Sequence, residues 1–147
     1  MIEQLKQLRE FQTKFRSIVN DKPTLLPKED WQLRLALSAE EHREYGDACH
    51  DEDIVEIADA IVDRIFLALG DAICHGLGDI LPELFDEVVA SNMSKLDNDG
   101  EPVVNGEKGV LDTTRPLGKI LKSNNYFKPR IKEIIEKHYG KVDSGSR

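Results

Sequence analysis

One stretch of the chain carries so many apolar residues at helical spacing that it restricts the fold to a few possibilities. Between residues 53 and 75, apolar side chains cover most of the surface of a helix with about 3.6 residues per turn. The acidic residues Glu56, Asp59 and Asp63 occupy the remaining strip, which is about 60° wide. Such a helix is expected at the centre of an all-α protein, where neighbouring elements bury most of its surface.

The rest of the chain supports an all-α, four-helix-bundle-like fold. Helical periodicity predicts further helices over residues 2–20, 27–49 and 80–96, joined by short polar turns, and a short C-terminal helix over 129–139. Residues 97–118 have no helical period and contain several glycines and prolines. A loop this long is expected to be functional, for instance as a lid. Val103 and Val104 followed by Asn105-Gly106 give a weak hairpin signal.

Length and charge limit the classes of protein to consider. At 147 residues the chain predicts a single domain over residues 1–140, with a flexible tail over 141–147. The net charge of -8 argues against binding to nucleic acid or to an anionic membrane surface. No apolar run approaches the ~20 residues of a membrane span. Cys49 and Cys74 lack C-x-x-C spacing, so reduced thiols and a cytoplasmic location are expected.

The second predicted helix carries an apolar stripe that becomes acidic partway along. On helical geometry, Leu33 and Leu37 lie on the same third of the circumference as Glu40, Glu41 and Glu44. A merely solvated acidic face would more naturally lie opposite the leucines. We therefore expect these glutamates to point toward the interior of the protein.

Two pairs of carboxylates are thereby expected to face each other across a helical hairpin. Glu41 and Glu44 are one helical turn apart, as are Glu56 and Asp59, so each pair can reach one ion. Hard oxygen ligands suit Mg²⁺ or Mn²⁺, which keep several waters and complete their shell with substrate phosphates. The alternative is that these are ordinary surface acids in a chain with 28 of them.

This pattern resembles a known family. Residues 41–44 (EHRE), eleven intervening residues and residues 56–59 (EIAD) are similar to the E-x-x-E, E-x-x-D signature of the all-α nucleoside triphosphate pyrophosphohydrolases. This MazG-like group includes phosphoribosyl-ATP pyrophosphohydrolase and dimeric-dUTPase-like enzymes. Residues 91–95 (SNMSK), 99–102 (DGEP) and 118–129 (GKILKSNNYFKP) extend the resemblance, which covers about residues 30–130. Residues 112–116 depart from the pattern as an apparent insertion.

The resemblance implies a reaction and the residues that perform it. Members cleave a nucleotide between the α and β phosphates, giving the monophosphate and pyrophosphate. By direct match, Glu41, Glu44, Glu56 and Asp59 would bind Mg²⁺, with Mn²⁺ as an alternative. Glu40 precedes the motif and would bind a further ion or act as general base on the attacking water. Asp63 lies outside the minimal motif.

The residues expected to bind the nucleotide follow the acidic motifs. Asn92 and Lys95 are three residues apart and would clamp the substrate, the alternative being a lysine that complements a helix dipole. A second set is expected to close over the phosphates and stack on the base, unless it is a solvated turn. Its members are Lys119, Lys122, Asn125 and Tyr126.

Three functions remain open. The leading hypothesis is a Mg²⁺-dependent nucleotide pyrophosphohydrolase, the second a non-catalytic nucleotide-binding or sensing protein of the same fold, and the third a structural helical module. The strongly apolar third helix favours a homodimer or homotetramer, and the family resemblance implies the same.

Overall fold

The computed structural model describes residues 1–142. Within that range it has five α-helices and no strand beyond two isolated bridge pairs, which confirms the all-α prediction. The helices are α1 (Ile2–Lys14), α2 (Lys28–His50), α3 (Ile54–Cys74), α4 (Leu81–Met93) and α5 (Ile131–Tyr139), with a 3₁₀ turn at Gly78–Ile80. Most of the predicted tail at 141–147 lies outside the described residues.

The chain divides into two compact units, Met1–Leu81 and Pro82–Gly140. The first contains α1, α2 and α3, and the second contains the rest of α4, a long polar segment and α5. The expectation of a single domain over residues 1–140 stays a prediction. No helix within residues 1–142 combines the length and the apolar character needed to cross a bilayer.

The first unit is built on the hairpin of α2 and α3. A tight turn joins the two helices, and the Asp53 carboxylate caps α3 by accepting hydrogen bonds from the amides of Val55 (2.9 Å) and Glu56 (3.3 Å). Helix α1 packs on the other end of α3, where Leu5 and Leu8 enclose Ile73. The core therefore lies at the end of α3 remote from the turn.

An ion pair fixes α2 against α3. The Arg34 guanidinium pairs with the Asp71 carboxylate and donates to the carbonyl of Leu67 at 2.9 Å. It fits because Gly70 has no side chain, and a Cβ there would lie 2.7 Å from Arg34 Nη2. Arg34 of α2 thus contacts two residues one turn apart on α3, and this contact helps to set the register of the two helices.

Helix α1 is shorter than its periodicity predicts. It ends at Lys14, and Arg16 adopts a left-handed backbone conformation with φ of 57°. The following segment then runs along the end of α3, since the Asn20 amide donates to the carbonyl of Ile73 (3.2 Å) and the Thr24 amide to that of His75 (2.9 Å). The prediction that the helix continues to residue 20 is wrong because these tertiary hydrogen bonds replace helical ones.

Helix α3 is less buried within one chain than its composition suggests. Its C-terminal end is enclosed, with Ile73 and Cys74 each 1% exposed. Nearer its start, Val55, Val62 and Ile65 are each more than half exposed. The expectation that neighbouring elements bury most of α3 is wrong for a single chain, because α1 and α2 cover only part of the helix.

In the second unit, charged side chains join α5 to α4. Glu87 pairs with Arg130 at 2.9 Å, and Glu83 pairs with Lys137 at 2.8 Å and with His138 at 2.6 Å. These contacts join α4 to α5, the helices that precede and follow the long polar segment along the chain.

The polar segment is ordered by backbone pairing at its base. Val104 forms an antiparallel bridge with Ile120, and Leu96 forms one with Pro102. The Asn105-Gly106 hairpin signal therefore corresponds to the start of a longer loop, in which Val104 pairs with a residue sixteen positions further along. Side-chain contacts of Asn105 stabilise this arrangement, which sequence periodicity does not reveal.

Candidate functional site

The hairpin of α2 and α3 surrounds a cavity of about 250 Å³ that is lined almost entirely by acids. Its lining contains three of the four predicted metal ligands and three further aspartates. The lining residues are Glu44, Asp47, Ala48, Asp51, Asp53, Glu56, Asp59 and Ala60. The structure thus brings the two acidic motifs to the same side of the hairpin.

The fourth predicted ligand, Glu41, is surrounded by the other acids. Its Oε2 atom is shielded from solvent and has no hydrogen-bond partner within residues 1–142. Burial raises the pKa of this carboxyl, and the nearby charges of Glu44, Asp63, Glu40 and Asp59 raise the pKa further. Glu41 therefore lies close to Glu40, Glu44 and Asp59 of the predicted site, and Asp63 belongs to the same cluster.

The carboxylates of this cluster lack cationic partners. Among residues 1–142, none of the acids that line the cavity or surround Glu41 forms an ion pair. A desolvated, unpartnered oxygen in a field of like charges is unfavourable unless a cation offsets it, so the residues present fit a hard divalent ion. In the same range, no three acidic, histidine or cysteine side chains are already placed to hold one ion.

Three aspartates of the cavity do not appear among the predicted site residues. Asp47 lies three residues after Glu44, and Asp51 lies four residues after Asp47. Helical spacing therefore predicts that both share a face with Glu44. Neither aspartate is among the predicted site residues because the predicted end of α2 falls at that point. Asp53 reaches the cavity because it caps α3, which places it beside Glu56.

A larger cavity, of about 450 Å³, lies between α4 and α5. Two of its four acids are already neutralised, since Glu87 pairs with Arg130 and Glu83 pairs with Lys137. These contacts lower the pKa of both glutamates. The groove is accordingly a structural junction, and the smaller, unpaired acidic cavity is the better candidate for chemistry.

The six predicted nucleotide-binding residues lie in the second unit, and four of them contact one another in two pairs. Lys95 Nζ donates to Asn92 Oδ1 at 2.6 Å. Lys122 Nζ lies 4.4 Å from the centre of the Tyr126 ring, a cation–π contact. Asn125 donates to the carbonyl of Leu96 at 3.2 Å, and the Lys119 side chain is exposed.

Hydrogen bonds connect these two groups of residues. Ser91 Oγ donates to the carbonyl of Phe127 at 2.8 Å, and the Phe127 amide donates to Ser94 Oγ at 3.1 Å. Ser123 Oγ contacts the carbonyl of Ser94 at 3.1 Å. The end of α4, which carries Asn92 and Lys95, is thus fastened to residues 123–127. Their proposed role in binding a nucleotide stays a prediction.

The fold and the cavity define an all-α protein with a carboxylate cluster suited to a divalent cation. The phosphoribosyl-ATP pyrophosphohydrolase family matches residues 8–92, more than half of the chain, and the protein belongs to that family. The family is part of the MazG-like all-α nucleoside triphosphate pyrophosphohydrolase superfamily, which confirms the resemblance found from the motifs. The search of curated proteins returned no match.

Family membership indicates a hydrolase of nucleotide pyrophosphate bonds, and members typically depend on a divalent metal. The matched region contains both acidic motifs and ends at Asn92. Lys95 and the later lysines lie beyond it, so their placement rests on the contacts of the second unit alone.

Proposed function

We propose that the protein is a Mg²⁺-dependent nucleotide pyrophosphohydrolase. It would hydrolyse a nucleoside or deoxynucleoside triphosphate, or a related nucleotide, between the α and β phosphates and release the monophosphate and pyrophosphate. The observation that carries the proposal is the buried, unpartnered Glu41 oxygen among four other carboxylates, in a chain of the phosphoribosyl-ATP pyrophosphohydrolase family.

The proposed metal ligands are Glu41, Glu44, Glu56 and Asp59, for Mg²⁺ or Mn²⁺. Their oxygen atoms match the preference of these ions, and the absence of ion pairs to them within residues 1–142 leaves their charge available. When bound, the ion would offset phosphate charge and lower the pKa of a coordinated water.

Glu40 is the proposed general base. It is exposed to solvent on α2 and lies close enough to Glu41 to raise the pKa of that carboxyl. Water would bond to one phosphorus flanking the bridging oxygen, and its proton would pass to the Glu40 carboxylate. The bond from that phosphorus to the bridging oxygen breaks, and the oxygen leaves with the other phosphate group. Lys95, Lys119 and Lys122 would contact the phosphates, with Asn92 and Asn125 as further polar contacts and Tyr126 against the base.

A nucleotide screen with pyrophosphate detection tests the proposal. The panel holds ribonucleoside and deoxyribonucleoside triphosphates and phosphoribosyl-ATP, each with Mg²⁺ or Mn²⁺ and with a chelator as a blank. Glu56→Gln is expected to lower turnover by more than about 100-fold, because it removes a proposed metal ligand. Its far-UV circular dichroism should be unchanged. Glu29→Gln, an exposed acid at the start of the same hairpin, should stay within about twofold of the wild type.

The outcomes separate the three hypotheses. Failure to release pyrophosphate from every nucleotide with either ion would refute the enzyme. If nucleotides then raise the melting temperature, the protein is a nucleotide-binding or sensing member of the fold. If neither metal nor nucleotide changes the melting temperature, the structural module is correct.

We also propose that a second copy of the chain covers the exposed face of α3, giving a homodimer or homotetramer. Val55 is 69% exposed, Val62 62% and Ile65 54%, and one to three helical turns separate them. Light scattering after size exclusion should give two or four times the 16.6 kDa chain mass. Val62→Asp should reduce that mass, whereas Leu25→Asp, in the extended segment after α1, should not. A wild-type monomer would refute this assembly.

A cytoplasmic location is part of the proposal. Cys49 and Cys74 are both free thiols, one exposed and one buried, which suits a reducing compartment.

A further inference from the structure

The most enclosed polar side chain in the described structure belongs to a residue of the polar segment. Asn105 is 1% exposed, comparable to Ile73 and Cys74 in the core of the first unit. Its Nδ2 donates to the carbonyls of Asp112 (2.9 Å), Arg115 (2.9 Å) and Pro116 (3.0 Å). Its Oδ1 accepts a hydrogen bond from the Asp112 amide at 2.7 Å. Every polar atom of the side chain is therefore bonded to backbone of the same loop.

The backbone of Asn105 closes the loop at its base. Its amide donates to the carbonyl of Lys119 at 2.9 Å, and its carbonyl accepts from the Gly118 amide at 2.9 Å. Two residues away, the Leu121 amide donates to the carbonyl of Val103 at 2.7 Å. Residues 103–105 and 118–121 thus form a short antiparallel ladder, and residues 106–117 are a loop whose two ends meet at one asparagine.

The same ladder carries the lysines proposed to bind phosphate. Lys119 bonds directly to the Asn105 backbone, and Lys122 follows the last paired residue of the ladder. Beyond Lys122, the Ser123 hydroxyl contacts the carbonyls of Ser94 (3.1 Å) and Leu96 (3.0 Å) at the end of α4. The lysine segment is therefore held on one side by α4 and on the other by the loop that Asn105 closes.

The chemistry of the site requires an amide at this position. An asparagine side chain presents donors and an acceptor at once, whereas an aspartate would place a second set of acceptors against the three carbonyls. An alanine would leave four backbone groups without their buried partner, which is costly. Hydrophobic packing within the loop does not replace these hydrogen bonds, because Leu111 and Leu117 are 65% and 75% exposed.

We infer that Asn105 is a positioning residue, which closes the 106–117 loop and thereby places the Lys119 and Lys122 cations to receive the polyphosphate of the nucleotide. This inference rests on the proposed function for its ligand, but the closure of the loop is independent of it. Asn105 touches no reacting atom in this scheme and acts through the two lysines.

Limited trypsin digestion and steady-state kinetics test the two parts separately. Trypsin reports on the loop through cleavage after Lys108, because Pro116 blocks cleavage after Arg115. We compare Asn105→Ala and the nearly isosteric Asn105→Asp with Asn98→Ala, which changes an exposed asparagine of the same polar segment. Both Asn105 variants are expected to be cut after Lys108 about tenfold faster or more, because buried hydrogen bonds are lost. Asn98→Ala should match the wild type.

The kinetic readout distinguishes positioning from general damage. The KM for the best nucleotide of the screen should rise about fivefold or more in both Asn105 variants, the size expected for misplacing two exposed phosphate contacts. The kcat should change much less, because the carboxylate cluster is intact. In a Lys119→Ala, Lys122→Ala background, Asn105→Ala should raise KM little further, since the lysines through which it acts are gone.

Each contrary result identifies the part that fails. Cleavage at the wild-type rate in both variants would refute the closure of the loop by Asn105. Faster cleavage with an unchanged KM, or an equal rise in KM in the double-lysine background, would refute positioning. If the wild type hydrolyses no nucleotide, the proposed function fails while the digestion still decides the closure. Asn105→Ser, which keeps one donor, replaces Asn105→Ala in both measurements if circular dichroism shows that the latter does not fold.

Discussion

The cap of α3 allows the structural and electrostatic roles of one cavity aspartate to be separated. Asp53 lines the acidic cavity and also accepts hydrogen bonds from the amides of Val55 and Glu56. Asp53→Ala removes both the cap and the charge, whereas Asp53→Asn keeps a side-chain oxygen as acceptor and removes only the charge. Because Glu56 is a proposed metal ligand, the cap also anchors the backbone of the site.

The two substitutions should have different effects on stability without metal. Loss of an N-cap acceptor costs about 1 kcal/mol, and asparagine caps a helix about as well as aspartate. Asp53→Ala should therefore lower the melting temperature by roughly 3–4 °C for a chain of this length. Asp53→Asn should stay close to the wild type, since the lost attraction to the helix dipole is offset by weaker repulsion from neighbouring acids.

Thermal and urea unfolding, followed by circular dichroism in the presence of a chelator, measure these differences. Asp51→Ala is the matched control, because it removes a carboxylate from the same cavity but no hydrogen bond to α3. It should cost little or no stability. Equal destabilisation by Asp53→Ala and Asp53→Asn would show that charge, and not capping, is the important contribution, and would refute this reasoning.

Three further predictions concern the site and the core. Because the pKa of Glu41 is raised in the fold, its ionised form destabilises the native state, so metal-free Glu41→Gln should melt above the wild type at pH 7. That advantage should shrink as the pH falls through the raised pKa of Glu41 and vanish below the ordinary value of 4.5. Equal melting temperatures of Glu41→Gln and the wild type, both at pH 7 and below pH 4.5, would contradict it. Ile73→Ala should cost about 2–5 kcal/mol in urea unfolding, because Ile73 is 1% exposed, and Leu25→Ala, at an 88% exposed position, should cost much less. Gly76→Ala should lower stability by at least about 1–3 kcal/mol, because φ is +69° and a Cβ would collide with the Lys22 backbone; a neutral result in the same assay would contradict it.

Local sequence information placed most helices to within one to three residues. The ends of α2 and α3 were predictable because the intervening turn combines a helix-capping aspartate with several polar residues. The end of α1 was not, because Phe15, Ile18 and Val19 continue the helical spacing. Hydrogen bonds from Asn20 to the end of α3 decide the conformation there, and they join residues more than fifty positions apart.

The acidic motifs were predictable for a similar reason. Glu41 and Glu44 belong to one helix, as do Glu56 and Asp59, so helical spacing alone puts each pair on one face. The special environment of Glu41 was not predictable from spacing. Which of several neighbouring acids loses its solvent depends on how closely α2 and α3 pack, and that distance depends on contacts such as Arg34 with Asp71.

By itself, the sequence determined the helices, the two carboxylate pairs and the family, since each is encoded within a few helical turns. Tertiary structure decided three things: the shielding of one Glu41 oxygen, the addition of Asp47, Asp51 and Asp53 to the acidic cavity, and the role of Asn105. The sequence around Asn105 predicted only a turn. In the structure, Asn105 closes a loop through hydrogen bonds to residues up to fourteen positions away. Burial and long-range hydrogen bonds depend on the packing of separate segments, which the spacing within any one segment does not specify.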